Sequence, residues 1–219
     1  MTTEAMTTED AAISRHESAA DADLAGAVNP ALLGLPAFIV GSLGLGLTFV
    51  GYAPDGAAVA LLSIIILGAG LGLVVATAWA AGAGQGPVVA ILGIMAMFWL
   101  SFPTLQLALT HDWFGALAAG GKNQAVAVFA LCWFVVVVML TLATLRLPSV
   151  FTVLFLLIDV ALLLVFFAYS GGSAPSSGLL TVAGMVVFVF AAIGIYMFFD
   201  AMAVATGGKA LPMGKPIRR

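Results

Sequence analysis

From about residue 31 onward the chain is a succession of long apolar stretches separated by short polar ones. Six stretches occupy roughly 31–50, 57–81, 87–109, 124–145, 150–169 and 179–203. Each is close to the ~20 residues an α-helix needs to cross the hydrocarbon core of a bilayer, so the pattern predicts six membrane-spanning helices. The intervening segments "GYAPDGA", "AGAGQGP", "THDWFGALAAGGKNQ", "RLPS" and "SGGSAPSSG" carry turn residues. Pro87 and Pro148 fall near helix starts, where the missing backbone N–H costs nothing. Arg146 and Pro148 argue for a break between the fourth and fifth stretches rather than one long helix. Residues 1–28 have a different character, rich in Thr, Ala and acids and without an aromatic residue, and read as a disordered tail. The acidic start, with no apolar core directly after Met1, is not that of a signal peptide. The expected organisation is a tail over 1–28, a transmembrane domain over 29–206 and a basic tail over 207–219.

Composition agrees with this reading. Of the 219 residues 63% are hydrophobic and 8% charged, too little charge to coat a soluble surface. Mean hydropathy is +1.20. The charges are segregated: six of the ten acids lie in the first 23 residues, and four of the seven bases (Lys209, Lys215, Arg218, Arg219) in the last eleven. An even number of spans puts both termini on one side, and the positive-inside rule makes that side the cytoplasm. Arg146 then also falls inside, whereas Lys122 falls outside, against the rule. The fold class is an all-α integral membrane protein of six transmembrane helices with both termini cytoplasmic, multi-pass in the plasma or inner membrane. No basic patch suited to nucleic acid is present. The single cysteine, Cys132, allows neither a disulfide framework nor a cysteine-based metal site.

No enzyme motif is found: GxSxG, HExxH and the Walker glycine loop are all missing, and no catalytic residue, metal ligand or cofactor is expected. "GAGQG" at 82–86 lacks the Lys-Ser/Thr of a phosphate loop and reads as a turn. Small residues such as Ser42 and Gly46, Gly68 and Gly72, and Ala191, Ala192 and Gly194 would let helices approach closely, most simply for packing within the chain. Trp79, Trp99, Trp113, Trp133 and Tyr52 are expected towards the ends of the spans, as an interfacial belt. Intramembrane polarity is the remaining candidate chemistry. Asp159 lies in mid-helix between "LFLLI" and "VALLLVFF". A carboxyl there faces a bundle interior or a wet cavity. Two readings stand: a proton-titrating or pathway group, and a protonated Asp hydrogen-bonded between helices. Ser101, Thr104, Gln106, Thr141 and Thr144 are further candidates to line a path, although single hydroxyls in helices usually bond their own backbone.

The stretch "NPALLGLPAF" (29–38) resembles the N-P-x-P-x-G-L-x-x-F signature of the acetate–succinate transporter family, six-helix bacterial and fungal acetate permeases. "VGY" (50–52), "MFWLS" (97–101), "ATLR" (143–146), "GIYMFFD" (194–200) and "GGKALPMG" (207–214) resemble further family segments in the same order, and the similarity runs from about 28 to 214. Asn29 suits a helix cap, Pro30 a first helical position and Gly34 a close helix approach; Leu35 completes the signature. The sequence departs from the family at Leu32 for the second signature proline, Ala80 for an acid and "GQGP" (84–87) for "GNTF". The resemblance implies transport of a small monocarboxylate such as acetate, with succinate and proton symport within the family's range, through a homo-oligomer, a hexamer, with one pathway per protomer. It places the family's Phe-Tyr-Leu constriction on Phe38, Met95 and Ile158, with Met95 replacing the tyrosine, and puts Asp159 where relatives carry Thr. Ser101, Gly194 and Tyr196 fall in its other pathway motifs. Two alternatives stay open: a channel for ammonia or another small metabolite, and a non-transporting membrane scaffold or sensor that keeps the fold.

Overall fold

A computed structural model describes residues 29–172 and 174–218. The acidic segment 1–28 lies outside the described residues. Helices account for most of the described chain: α1 (Ala31–Phe49), α2 (Asp55–Ile64), α3 (Gly72–Gly82), α4 (Gly86–Thr110), α5 (Ala119–Ala143), α6 (Ser149–Ser170) and α7 (Ser177–Ala205). A π-helical stretch, Ile65–Leu71, joins α2 to α3 in one continuous helix, and a 3₁₀ turn, Thr144–Arg146, extends α5. Six helices are thus long and apolar enough to span a membrane: 31–49, 56–82, 86–110, 119–146, 149–170 and 177–205. The all-α, six-span fold expected from the sequence is the one found.

Local chemistry sets most of the boundaries. Pro30, Pro54 and Pro148 stand at the N-caps of α1, α2 and α6, and Pro87 occupies the first turn of α4, where an absent N–H leaves nothing unsatisfied. The Ser176 hydroxyl accepts the Leu179 N–H at 3.5 Å to start α7. One boundary differs from the sequence pattern: α5 begins at Ala119, several residues before the apolar run. The polar, glycine-containing turn "AGGKN" is held in the helix from outside. Lys122 Nζ pairs with Asp112 Oδ1 at 2.7 Å, and Asn123 Nδ2 donates to the Gly172 carbonyl at 3.0 Å.

The six spans form a ring. α1 packs on α7 and on the second span, α3 packs on α4, α5 on α6, and α6 on α7. Backbones approach closely at small residues: a Cβ on Gly72, one of those singled out in the sequence, would stand 2.9 Å from Ala37 Cβ, and one on Gly41, which was not, 2.6 Å from Ala69 Cβ. α4 and α5 are instead held apart and bridged by aromatic rings, Phe98 lying 5.4 Å from Trp133 and 6.0 Å from Phe129 between centroids. Leu67, Met97, Met139, Phe167 and Met185 cover the outside of the ring, as lipid contact requires. Trp79, Trp113 and Tyr52 are exposed as a belt would be, but Trp99 and Trp133 depart from the expectation: both lie in mid-helix, Trp99 1% exposed and turned into the core, Trp133 packed on Phe98. Among apolar neighbours, an indole side chain is as suitable for filling an interior as for sitting at an interface.

Segment 206–218 has no regular structure yet is strapped to the end of the bundle. The Tyr196 hydroxyl donates to the Pro212 carbonyl at 2.8 Å. Asp200 Oδ1 accepts the Leu211 N–H at 2.6 Å. The Val150 and Arg218 N–H groups donate to the Met213 and Leu145 carbonyls at 3.3 and 2.9 Å. Each such bond contributes about 1 kcal/mol. A Tyr196→Phe/Asp200→Ala protein in detergent is therefore expected to be cut by trypsin after Lys209 several-fold faster than the parent. Equal cleavage rates would mean that the remaining contacts alone hold the strap.

Candidate functional site

Three cavities follow α1 from its start to its end. The first, about 240 Å³, lies at the end of the bundle that carries both ends of the described chain. Asn29, just before α1, and Gly34, Leu35 and Phe38 of α1 line it together with Leu92 and Met95 of α4, Phe151 and Phe155 of α6, Asp200 of α7 and Met213 of the strap. The second, about 40 Å³, is a central chamber walled by apolar side chains including Phe38, Met95, Trp99, Ile158, Val187 and Phe190. The third, about 230 Å³, lies at the opposite end of α1, and Thr48, Gln106, Thr110 and Tyr169 give it a partly polar wall.

Phe38 and Met95 line both the first cavity and the chamber, so they form the partition between them. Ile158 lines the chamber alone. The Phe38 ring is set edge-on to Trp99, 6.3 Å between centroids, and tilted against Phe190 at 5.7 Å. Gly194 on α7 makes room for it: a Cβ there would lie 3.4 Å from the Phe38 ring. Trp99 is a polar member of the chamber wall, and its buried Nε1–H has no acceptor.

The signature residues open the first cavity. Asn29 Oδ1 accepts the Ala31 N–H at 3.1 Å, and Pro30 stands just before the helix, its carbonyl accepting from Gly34. Gly34 permits a tight approach of α4, since a Cβ would fall 2.8 Å from Leu92 Cδ2. The intramembrane polar candidates are placed elsewhere. Ser101 donates to its own helix, to the Met97 carbonyl at 2.7 Å, and Thr104 does the same to Leu100 at 2.6 Å. Tyr196 of α7 holds the strap through its hydroxyl. Asp159 lies between α5 and α6: Oδ2 accepts from the Thr141 hydroxyl at 2.7 Å, Oδ1 is buried without a partner, and neither of these two residues lines any of the three cavities. Thr141 also donates to the Val137 carbonyl at 2.9 Å. Thr144 donates to the Thr141 carbonyl at 2.7 Å, below the same interface. Of the hydroxyl and amide candidates only Gln106 lines one of these three cavities.

Leu45, Phe49, Phe102, Phe129 and Phe190 are cavity residues that no sequence motif singled out. A faint signal exists in spacing: Leu45 follows Phe38 by seven residues on α1, and Phe102 follows Met95 by seven on α4.

A ring of six apolar spans with three cavities in succession through it defines a multi-pass membrane protein of the channel and transporter class. The family model described as the GPR1/FUN34/yaaH family matches residues 17–209, and the chain belongs to this family of acetate transporters. Among solved structures it is similar to the bacterial acetate channel SatP, with a TM-score of 0.72 at 24% identity, covering 85% of this chain and 98% of that one. No curated protein matches it significantly.

Proposed function

We propose that the chain conducts a small monocarboxylate, acetate first, across the cell membrane, with Phe38, Met95 and Ile158 as the constriction. The observation that carries this is the apolar chamber partitioned from a wider cavity by Phe38 and Met95. Membership of the family and likeness to an acetate channel support the same reading. Such a constriction selects by size and by the cost of removing water. An unpaired carboxylate loses far more hydration than a neutral acid, so passage with a proton costs least. Transport rather than catalysis is the activity in this reading. Assembly as a homo-hexamer and cytoplasmic termini belong to it as well, and succinate lies at the upper limit of size.

Uptake of labelled acetate by proteoliposomes, with and without an inward proton gradient, tests the proposal. Uptake above protein-free vesicles, increased by the gradient, is expected. No uptake in either condition by correctly inserted protein would overturn it. An apolar chamber also suits a small neutral solute such as ammonia, and parallel measurement of ammonia-driven lumenal alkalinisation separates that reading.

A further inference from the structure

We infer that Leu45, Phe49 and Phe102 form a second size-selective apolar ring, which closes the central chamber at the end opposite Phe38 and Met95. The inference rests on the transport reading and deepens it by adding specificity-determining residues.

The three side chains line both the chamber and the third cavity, so they stand between them as Phe38 and Met95 stand at the other end. The construction of the two partitions is the same. On α1, Phe38 and Leu45 are seven residues apart; on α4, Met95 and Phe102 are seven residues apart. Seven residues are close to two helical turns, so each pair lies on one face of its helix with a rise of about 10 Å between members. First and third spans run in the same direction through the membrane, so the two helices supply matched rungs: Phe38 with Met95, then Leu45 with Phe102. Phe49, one further turn along α1, reinforces the second rung. Leu45 is 7% and Phe102 6% exposed, comparable with Phe38 at 6% and Met95 at 4%.

The chamber between the rungs is small. Its volume of about 40 Å³ corresponds to about three water positions. That suits a solute of a few heavy atoms. Trp99 apart, the chamber wall is apolar, and the third cavity carries the polar side chains Thr48, Gln106 and Thr110. A solute entering from that end therefore loses its water at Leu45, Phe49 and Phe102, not at Phe38. Selectivity is then set by two barriers in series. Widening one leaves the other limiting, whereas widening both removes the limit.

The experiment compares lactate and acetate uptake by proteoliposomes carrying the parent protein, Phe38→Ala, Leu45→Ala and the double variant. The readout is the lactate-to-acetate ratio within each protein, corrected for protein-free vesicles. If the two rings resist lactate equally, each single variant gains only about twofold, and the double variant gains about tenfold or more, well above the sum of the singles. A double variant no better than Phe38→Ala, with acetate uptake retained, would show that Leu45 is not a barrier and would overturn the second ring while leaving transport intact. Absent acetate uptake in the parent would overturn the transport reading and the ring with it. Phe102→Leu, which keeps the packing against Phe98 and Phe129 apolar, is judged by the same comparison and replaces Leu45→Ala if that protein does not reconstitute.

Discussion

Phe38→Ala is expected to raise lactate uptake relative to acetate by about twofold, the gain reached when one of two equal barriers in series is removed. The phenyl ring separates the first cavity from the chamber, and no other side chain of α1 lines both. Deleting it joins the two spaces. The gain stays partial because the ring at Leu45 and Phe102 still limits a larger acid. The substitution also has a structural cost. Phe38 packs against Trp99 and Phe190, and removing a buried phenyl group typically destabilises by about 3–5 kcal/mol. Phe38→Leu, with a smaller cavity left behind, is expected to give the same direction of change with less loss of thermal stability. An unchanged lactate-to-acetate ratio in both variants, in protein shown to be inserted and intact, would move Phe38 out of the pathway.

Thr141→Val is expected to cost roughly 1–3 kcal/mol of stability, because it leaves the buried carboxyl of Asp159 with no hydrogen-bond partner at either oxygen. Replacing both groups, as Thr141→Val/Asp159→Leu, is expected to recover most of that loss, since an apolar pair needs no partner. Thermal unfolding of the three proteins in the same detergent measures this cycle. The placement between α5 and α6, away from the three cavities, also predicts that Asp159→Asn keeps acetate uptake and its dependence on pH. A pH profile flattened from mildly acidic to neutral conditions would instead make Asp159 part of a proton path, the other reading its mid-membrane position allows. If the double variant proves as unstable as Thr141→Val, the loss does not come from an unpartnered carboxyl.

The two results bear on different parts of the molecule, and the sequence spoke unequally to them. Span number and approximate limits were legible because a bilayer demands about 20 apolar residues per helix and because Pro87 and Pro148 punctuate them. The start of α5 was not, since "AGGKN" has loop composition and its helical turn is joined to Asp112 and Gly172, outside the segment. The π-helical stretch Ile65–Leu71 was equally invisible, being as apolar as the turns on either side of it. At the site, the signature motif led to Asn29, Gly34 and Phe38, and the family's segments to Met95 and Ile158. Polarity was a poorer guide. Ser101 and Thr104 satisfy their hydroxyls within their own helix, Asp159 pairs through one oxygen with a neighbouring helix, and none of them lines the three cavities.

What the sequence by itself determined is the number of spans, their approximate ends and the membership in a family, all properties of residue type and order along the chain. What only the tertiary structure decided is which apolar residues face inward. In a soluble helix the buried face announces itself by contrast with a polar one. In lipid both faces are apolar, because hydrocarbon and protein interior favour the same side chains. Leu45 and Leu43, two residues apart, are chemically identical, yet Leu45 lines the chamber and Leu43 is exposed on the outside. Their difference exists only once six helices close into a ring.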